Sequence, residues 1–195
     1  MNAEHRVDDR VDGRRALRQR GTMQIGLCVW CSSLLLTVPA AAPGRGYPVK
    51  VYFSKHPASD ENPTAVFPVR RLSPTRAVAT FAIGQLVVGP TRAEARGGYY
   101  TALAGIFHGP STCGRPAFRL VLNRRGTIVE HGTTTLQFCR PTMIGGLGTA
   151  VRISSEIART LTQFPSIKRV VILDYRGDCF SDLSARNLCL RHDNV

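Results

Sequence analysis

One short segment, residues 80–103, constrains the fold more than any other part of the sequence. Within it, Phe81, Ala82, Leu86 and Val87 have helical spacing and predict a helix from about Pro74 to Val88 that packs one face on a core. Gly89 and Pro90 end this helix, because glycine tolerates a left-handed cap and proline cannot continue the helical hydrogen bonding. Thr91 and Glu94 then have the spacing of a capping box. The segment therefore predicts a helix, a tight corner and a second short helix.

This pattern, helix–Gly-Pro-Thr–x-x-Glu–x-x-Gly, resembles the GerMN domain, the sporulation and spore-germination domain of bacterial envelope proteins. A second block, residues 157–177, resembles the closing helix, the Thr-Leu-x-x-Phe-Pro corner and the final strand of that family, in the same order. The resemblance covers roughly Val49 to Gly177. The positions that carry it are Gly89, Pro90, Thr91, Glu94, Gly97, Thr160, Leu161, Phe164 and Pro165. It implies a small sheet with two helices on one face, assembly through protein–protein contacts outside the membrane, and no catalytic residues.

The N-terminal part of the chain, residues 1–41, predicts export. A mixed-charge segment rich in arginine precedes an apolar run at 25–38, and small residues follow at 40–42. This order is typical of a secretory signal peptide, which we expect to be cleaved near Ala40 or Ala41. The apolar run is shorter than the roughly 20 residues of a membrane span, although an uncleaved anchor remains the alternative. The expected location is secreted, periplasmic or otherwise in the extracytoplasmic cell envelope, with membrane contact only through an uncleaved segment.

The rest of the chain divides into a linker, a domain and a tail, at 42–48, 49–177 and 178–195. Strands are predicted at 49–54, 67–72, 118–123, 133–139 and 167–174, with a second long helix at 149–164. Pro68 places the second strand at a sheet edge, and the apolar last strand is expected at a sheet centre. Two helices and four or five strands predict an α+β fold, a two-layer sandwich with one small mixed sheet and both helices on one face.

Four cysteines lie beyond the signal segment, at 113, 139, 179 and 189. Four cysteines in an exported chain favour two disulfides, for which three connectivities exist. We favour Cys113–Cys139, since both would lie at the same end of an antiparallel strand pair, and Cys179–Cys189, which would close a short loop in the tail. A zinc site is disfavoured because no Cys-x-x-Cys pair occurs outside the signal segment.

The chain is strongly basic, with a formal charge of +13. Residues 42–195 contain 20 Lys and Arg against 9 Asp and Glu, a formal charge of +11, so the excess lies in the expected domain. Such a surface attracts anions, although arginine can also serve solubility alone. Three adjacent basic pairs are the candidate anion-binding residues: Arg70, Arg71, Arg124, Arg125, Lys168 and Arg169. Few aromatic residues lie near them, which disfavours nucleic-acid binding by base stacking.

No group of residues predicts catalysis, a metal site or a cofactor. The five histidines are scattered, and no Gly-x-Ser-x-Gly motif occurs. We therefore expect a non-enzymatic secreted envelope domain that mediates protein–protein assembly or docks on peptidoglycan. The alternative is an extracytoplasmic protein that binds polyanions or nucleic acid through its basic surface. A wall hydrolase that uses His108 or His131 is a third, weaker hypothesis. The partner and the oligomeric state are left open.

Overall fold

The computed structural model describes residues 46–191. The predicted signal segment and most of the predicted linker lie outside these residues. The described residues belong to one compact unit. Residues 47 and 48, which we expected to end the linker, instead begin the first strand. Within residues 46–191, no helix is both long and apolar enough to cross a membrane.

The described chain contains strands and helices in mixed order, so the α+β prediction is confirmed. In chain order the elements are β1 (Tyr47–Lys55), α1 (Ala58–Glu61), β2 (Phe67–Ser73), α2 (Val78–Val88), α3 (Arg92–Arg96), β3 (Tyr99–Tyr100), β4 (Phe118–Arg125), β5 (Ile128–Phe138), α4 (Leu147–Leu161), β6 (Arg169–Leu173) and a 3₁₀ turn (Leu188–Leu190). The two long helices, α2 and α4, pack on β1 and on each other. The six strands form two sheets of three, whereas we expected a single sheet of four or five.

The first sheet has the order β2-β1-β3, with both neighbours antiparallel to β1. Because side chains alternate along a strand, Val49, Val51 and Phe53 point into the core and are almost fully buried. Lys50 and Tyr52 point to the opposite face. Strand β2 is the outer strand of this sheet, as Pro68 predicts.

The second sheet has the order β4-β5-β6. Strands β4 and β5 are antiparallel, and β5 and β6 are parallel. The prediction that the last strand lies at a sheet centre is wrong, because β6 is the terminal strand. Its apolar sequence has another cause. One face of β6 packs on the main core, and on the other face Val171 and Leu173 pack against Cys179, Cys189 and Leu190 of the tail.

The start of α2 differs from the prediction, whereas α3 begins as expected. Ser73 does not cap a helix; its hydroxyl donates to the carbonyl of Thr75 at 2.8 Å, and the helix begins at Val78. At α3 the capping box is present in both directions. The Thr91 hydroxyl accepts from the Glu94 amide at 3.3 Å, and the Thr91 amide donates to the Glu94 carboxylate at 2.8 Å.

Both favoured disulfides are present in the structure. Cys113 and Cys139 join the loop before β4 to the end of β5, with their Cα atoms 5.4 Å apart. Cys179 and Cys189 close the tail that covers β6, with their Cα atoms 5.9 Å apart. The tail is thus fixed as a cover on the second sheet.

Candidate functional site

Three side chains at and after α4 hydrogen-bond the edge of β1 that faces away from β2. The Glu156 carboxylate accepts from the Ser54 amide at 3.1 Å, and the Thr160 hydroxyl accepts from the Tyr52 amide at 3.0 Å. The Gln163 side chain accepts from the Lys50 amide at 2.8 Å and donates to the Lys50 carbonyl at 2.6 Å. We call Glu156, Thr160 and Gln163 the α4 clamp.

The spacing of the α4 clamp follows from the geometry of the two elements. Four residues of helix rise about 6 Å, and two residues of strand rise about 6.6 Å. Glu156 and Thr160 therefore lie level with Ser54 and Tyr52, whose amides point to the same edge. Gln163 lies two residues beyond α4, and its longer side chain reaches Lys50. Thr160 is one of the positions that carries the family resemblance, and this contact gives it a structural role.

Glu156 is the most buried carboxylate of the described chain, with no exposed surface. Besides the Ser54 amide, it accepts from the Ser54 hydroxyl at 2.7 Å, the Thr101 hydroxyl at 3.0 Å and the Ala102 amide at 3.1 Å. Burial raises the pKa of Glu156, and these hydrogen bonds offset part of the rise. It thereby joins α4, the end of β1 and the segment after β3. We had no expectation for this residue.

Glu94 links α3 to the first sheet. Besides capping α3, its carboxylate accepts two hydrogen bonds from the Arg71 guanidinium, each at 2.6 Å. The Arg71 hydrogen bonds hold the pKa of Glu94 at about 2. Arg71 is 15 % exposed and is occupied by this pair, so it is poorly placed to bind an external anion.

Arg125 is occupied in a similar way at the second sheet. Its guanidinium donates to the Glu130 carboxylate at 2.5 and 2.8 Å and also donates to the carbonyl of Arg191. These contacts hold the tail to the β4–β5 hairpin. The Arg125 and Thr133 hydrogen bonds hold the pKa of Glu130 at about 2. Arg169 lies 3.7 Å from the same carboxylate but is 43 % exposed.

The candidate anion-binding residues therefore do not form one stripe. Arg70 and Arg71 lie on β2 in the first sheet, and Arg124, Arg125 and Arg169 lie in the second sheet, with Lys168 just before β6. Arg71 and Arg125 are engaged by carboxylates. The four that remain exposed are Arg70, Arg124, Lys168 and Arg169.

The outer face of the first sheet carries the first candidate surface. Lys50 and Arg70 are direct cross-strand partners in the β1–β2 register, and both are exposed. Neither pairs with a carboxylate of residues 46–191. Arg159 adds a third cation, 5.9 Å from the Tyr52 ring centre. A groove of about 770 Å³ runs past Lys50, Arg70 and the exposed Leu72. We call this surface the β1–β2 face.

A second groove, of about 670 Å³, lies on the outer face of the second sheet. Its floor is formed by outward side chains of β4 and β5, Val121 opposite Thr135 and Arg119 opposite Gln137. Leu190 of the tail and Arg124 also line this groove. We call this surface the β4 groove. The sequence did not predict it, because it requires the tail to fold back over β6.

One histidine has a carboxylate partner. The Nδ1 atom of His56 lies 2.6 Å from Asp60, whose other oxygen accepts from the Tyr100 hydroxyl at 3.0 Å. The His56 hydrogen bond lowers the pKa of Asp60, and the imidazole stacks on Tyr100 with ring centres 4.4 Å apart. The nearby serines 54 and 59 are buried and held in other hydrogen bonds. The cluster therefore orients α1 against β3 and offers no accessible nucleophile.

The two histidines of the hydrolase hypothesis lie in different parts of the structure. His108 is exposed in the loop after β3, and His131 is exposed within β5. Neither forms an ion pair with a carboxylate of the described residues. Within residues 46–191 no group of three or more His, Cys, Asp or Glu side chains could hold a metal ion.

Comparison with known proteins gives one similar structure. No family model and no curated protein matches the chain. Among solved structures the chain is similar to the tandem GerMN domains of the sporulation protein GerM from Bacillus subtilis, with 20 % identity and a TM-score of 0.41. The alignment covers 75 % of this chain and 48 % of the GerM chain. This chain therefore spans about half the length of the GerM structure. The α+β fold of this chain rests on the elements described above.

Proposed function

We propose that the protein is a non-enzymatic domain of the cell envelope that docks on peptidoglycan through the β1–β2 face. The observation that carries this proposal is the direct pairing of Lys50 with Arg70 on an exposed face. Like charges placed directly opposite each other on a sheet repel and destabilise it. A carboxylate or phosphate bound between them removes that repulsion. The peptide stems of peptidoglycan carry such carboxylates.

The distribution of acidic groups supports the proposal. Among residues 46–191, Asp60, Glu94 and Glu130 pair with cationic side chains or histidine, and Glu156 is buried. Asp174, Asp178 and Asp182 accept hydrogen bonds inside the tail. These seven acidic residues are used internally, and the exposed Glu61 does not line the groove of the β1–β2 face. The positive potential of this face is therefore not cancelled by carboxylates in the groove.

Two further features agree with a binding domain outside the cytoplasm. Disulfides persist in oxidising compartments, and this fold uses two of them. The polar clusters of the described residues serve to hold elements together, as at Glu156, Arg125 and His56. We therefore infer that the domain acts by binding and not by catalysis.

The test is co-sedimentation of the purified, oxidised protein with isolated peptidoglycan across a range of salt concentrations. The double variant Lys50→Glu/Arg70→Glu should lower the affinity at low salt by about tenfold or more, because two attractive charges become repulsive. Retention of the unaltered protein at high salt would indicate a shaped site. Release by modest salt would indicate an electrostatic contact.

The matched control is Arg115→Glu/Arg186→Glu, which makes the same change of charge at two exposed positions outside the β1–β2 face. It should change binding far less than the first double variant. Equal losses in both double variants would show that only total charge matters and would refute a role for this face. Absence of binding by the unaltered protein at low salt would refute the proposal itself.

A further inference from the structure

The strand edges of the two sheets are not equally protected. The edge of β1 is closed by the α4 clamp. The outer edge of β2 carries Pro68, which has no amide hydrogen, together with the charged Arg70. The outer edge of β6 is covered by the tail, where the Asp174 amide donates to the Asp178 carbonyl at 2.8 Å and the Phe180 amide donates to the Ile172 carbonyl at 2.9 Å.

Strand β4 differs from these three. It is a terminal strand of its sheet, and no strand of residues 46–191 lies along its outer edge. The Cys139 amide donates to the Ala117 carbonyl at 2.8 Å, which fixes the alternation of hydrogen bonding along the β4–β5 pair. By this alternation residues 119 and 121 bond β5, and the backbone groups of Phe118, Leu120 and Leu122 point outward. The edge ends at Asn123, where the register shifts.

We propose that this edge of β4 binds an extended, acidic segment of a partner protein by strand addition. The outward groups of residues 118, 120 and 122 supply the main-chain hydrogen bonds. Alternate side chains of the added strand point toward the β4 groove, since that groove lies on one face of the same sheet. Strand addition generally combines such main-chain bonds with pockets for alternate side chains.

Charge determines which partner the edge accepts. Arg119 and Arg124 line the β4 groove, and neither forms an ion pair with a carboxylate of residues 46–191. Acidic side chains on the added strand would pair with these cations. A second copy of β4 fits less well, because it would bring further arginines and no carboxylate to the β4 groove. The β4 edge and its groove are separate from the β1–β2 face, so each of the two proposals can be tested and refuted without affecting the other.

The test uses the purified, oxidised protein and a labelled eight-residue peptide in which Glu and Val alternate. There are two control peptides. In the first, Lys and Val alternate. The second has the Glu–Val sequence, but the amides on the edge that would face β4 are N-methylated. The Glu–Val peptide should bind and should slow hydrogen exchange at the amides of residues 118, 120 and 122, which point outward. The amides of residues 119 and 121, already bonded to β5, should change little.

Arg119→Glu should weaken binding of the Glu–Val peptide by about tenfold or more, because it replaces attraction with repulsion in the groove. Arg92→Glu makes the same change of charge on α3 and should alter binding less than about twofold, as expected for an exposed charge away from the contact. Leu122→Pro removes one outward amide and should also weaken binding. Because this proline could disturb the strand, Arg119→Glu gives the decisive comparison.

Several results would overturn the proposal. Equal binding of the N-methylated peptide would show that no strand pairing occurs. Equal binding of the Lys–Val peptide would remove the acidic preference. Absence of binding at millimolar peptide would show that the arginines only protect the edge. Protection of the 118–122 amides by self-association of the protein without peptide would identify a second copy as the occupant.

Discussion

The edge of β1 and the edge of β4 both present unpaired backbone groups, but within residues 46–191 only those of β1 are bonded by a neighbouring element. Each strand presents a row of outward backbone groups in a three-stranded sheet. Beside β1, a helix runs with side chains at the right spacing, and the groups of Lys50, Tyr52 and Ser54 are satisfied. Beside β4 nothing in residues 46–191 does so. Whether the outward backbone groups of a strand are free to pair therefore depends on the element that lies beside the strand and not on the strand's own sequence.

The two edges also differ in the role of their polar side chains, which hold the fold together at β1 and are exposed for binding at β4. The residues that close β1 are buried or half-buried and fixed by hydrogen bonds. The residues along β4, such as Arg119 and Leu122, are exposed. We expect substitutions in the α4 clamp to change the free energy of unfolding, and substitutions along β4 to change binding.

The largest expected effect comes from Glu156→Ala. Removal of the carboxylate leaves the Ser54 and Ala102 amides and the Thr101 hydroxyl without their acceptor in a buried site. Each unsatisfied buried group costs at least about 1 kcal/mol, so the free energy of unfolding should fall by about 3 kcal/mol or more. Chemical denaturation would measure this loss. Glu156→Gln keeps one acceptor oxygen and should lose clearly less; an equal loss would mean that side-chain volume, not hydrogen bonding, explains the result.

Thr160→Val should have the next largest effect. The substitution keeps the shape of the side chain but removes the oxygen that accepts from the Tyr52 amide. We expect a loss of about 1–2 kcal/mol in the free energy of unfolding. Hydrogen exchange at the Tyr52 amide should become faster than at its neighbours. Thr162→Val is a matched control, since the Thr162 hydroxyl is exposed and bonds only its own helix; a similar loss there would argue against the clamp.

Gln163→Ala should have a smaller effect, because the hydrogen bonds between Gln163 and Lys50 are exposed to solvent. Water can replace such bonds, so we expect a loss of about 0.5–1 kcal/mol. The same denaturation experiment would test it. A loss greater than that of Thr160→Val would reverse the order of importance along the clamp.

The dependence of stability on pH should show two opposite trends. Burial raises the pKa of Glu156 above its usual 4.5, so its contribution to stability falls as pH rises from about 4.5 through the raised pKa. Glu94 and Glu130 have pKa values of about 2, so their contributions are present above 4.5 and are lost as pH falls toward 2. Glu156→Gln should flatten the first trend, and Glu130→Gln should reduce the second. Denaturation midpoints from pH 2 to 8 would check both; an unchanged profile in either variant would contradict the assignment.

Much of the local structure could be predicted from the sequence. The capping box of Thr91 and Glu94 depends on a spacing of three residues, and the edge position of β2 follows from Pro68. Both features are local, so the sequence pattern is sufficient. The start of α2 was misplaced because Ser73 forms a hydrogen bond with Thr75 in a turn, an alternative that serine offers to helix capping.

Long-range features were harder to predict. The division of the strands into two sheets depends on which strands meet, and no local pattern specifies this. Glu156 had a signal that could have found it: it lies three residues after Ile153 and four before Thr160, inside the buried stripe of α4. A carboxylate at such a position must have polar partners. Its partners, Ser54 and Thr101, are far away in sequence, so they could not be identified.

The α4 clamp also sets a limit on when the domain can complete its fold. Ser54 and Glu156 are 102 residues apart, and Lys50 and Gln163 are 113 residues apart. During synthesis, which starts at the N terminus, β1 is made early, and the side chains that close its edge are made about 100 residues later. During that interval β1 is open to pairing with other chains, as exposed strand edges generally are. Contacts so distant in sequence slow folding. The state most prone to pairing with other chains is therefore the partly synthesised chain, in which β1 is present and α4 is not.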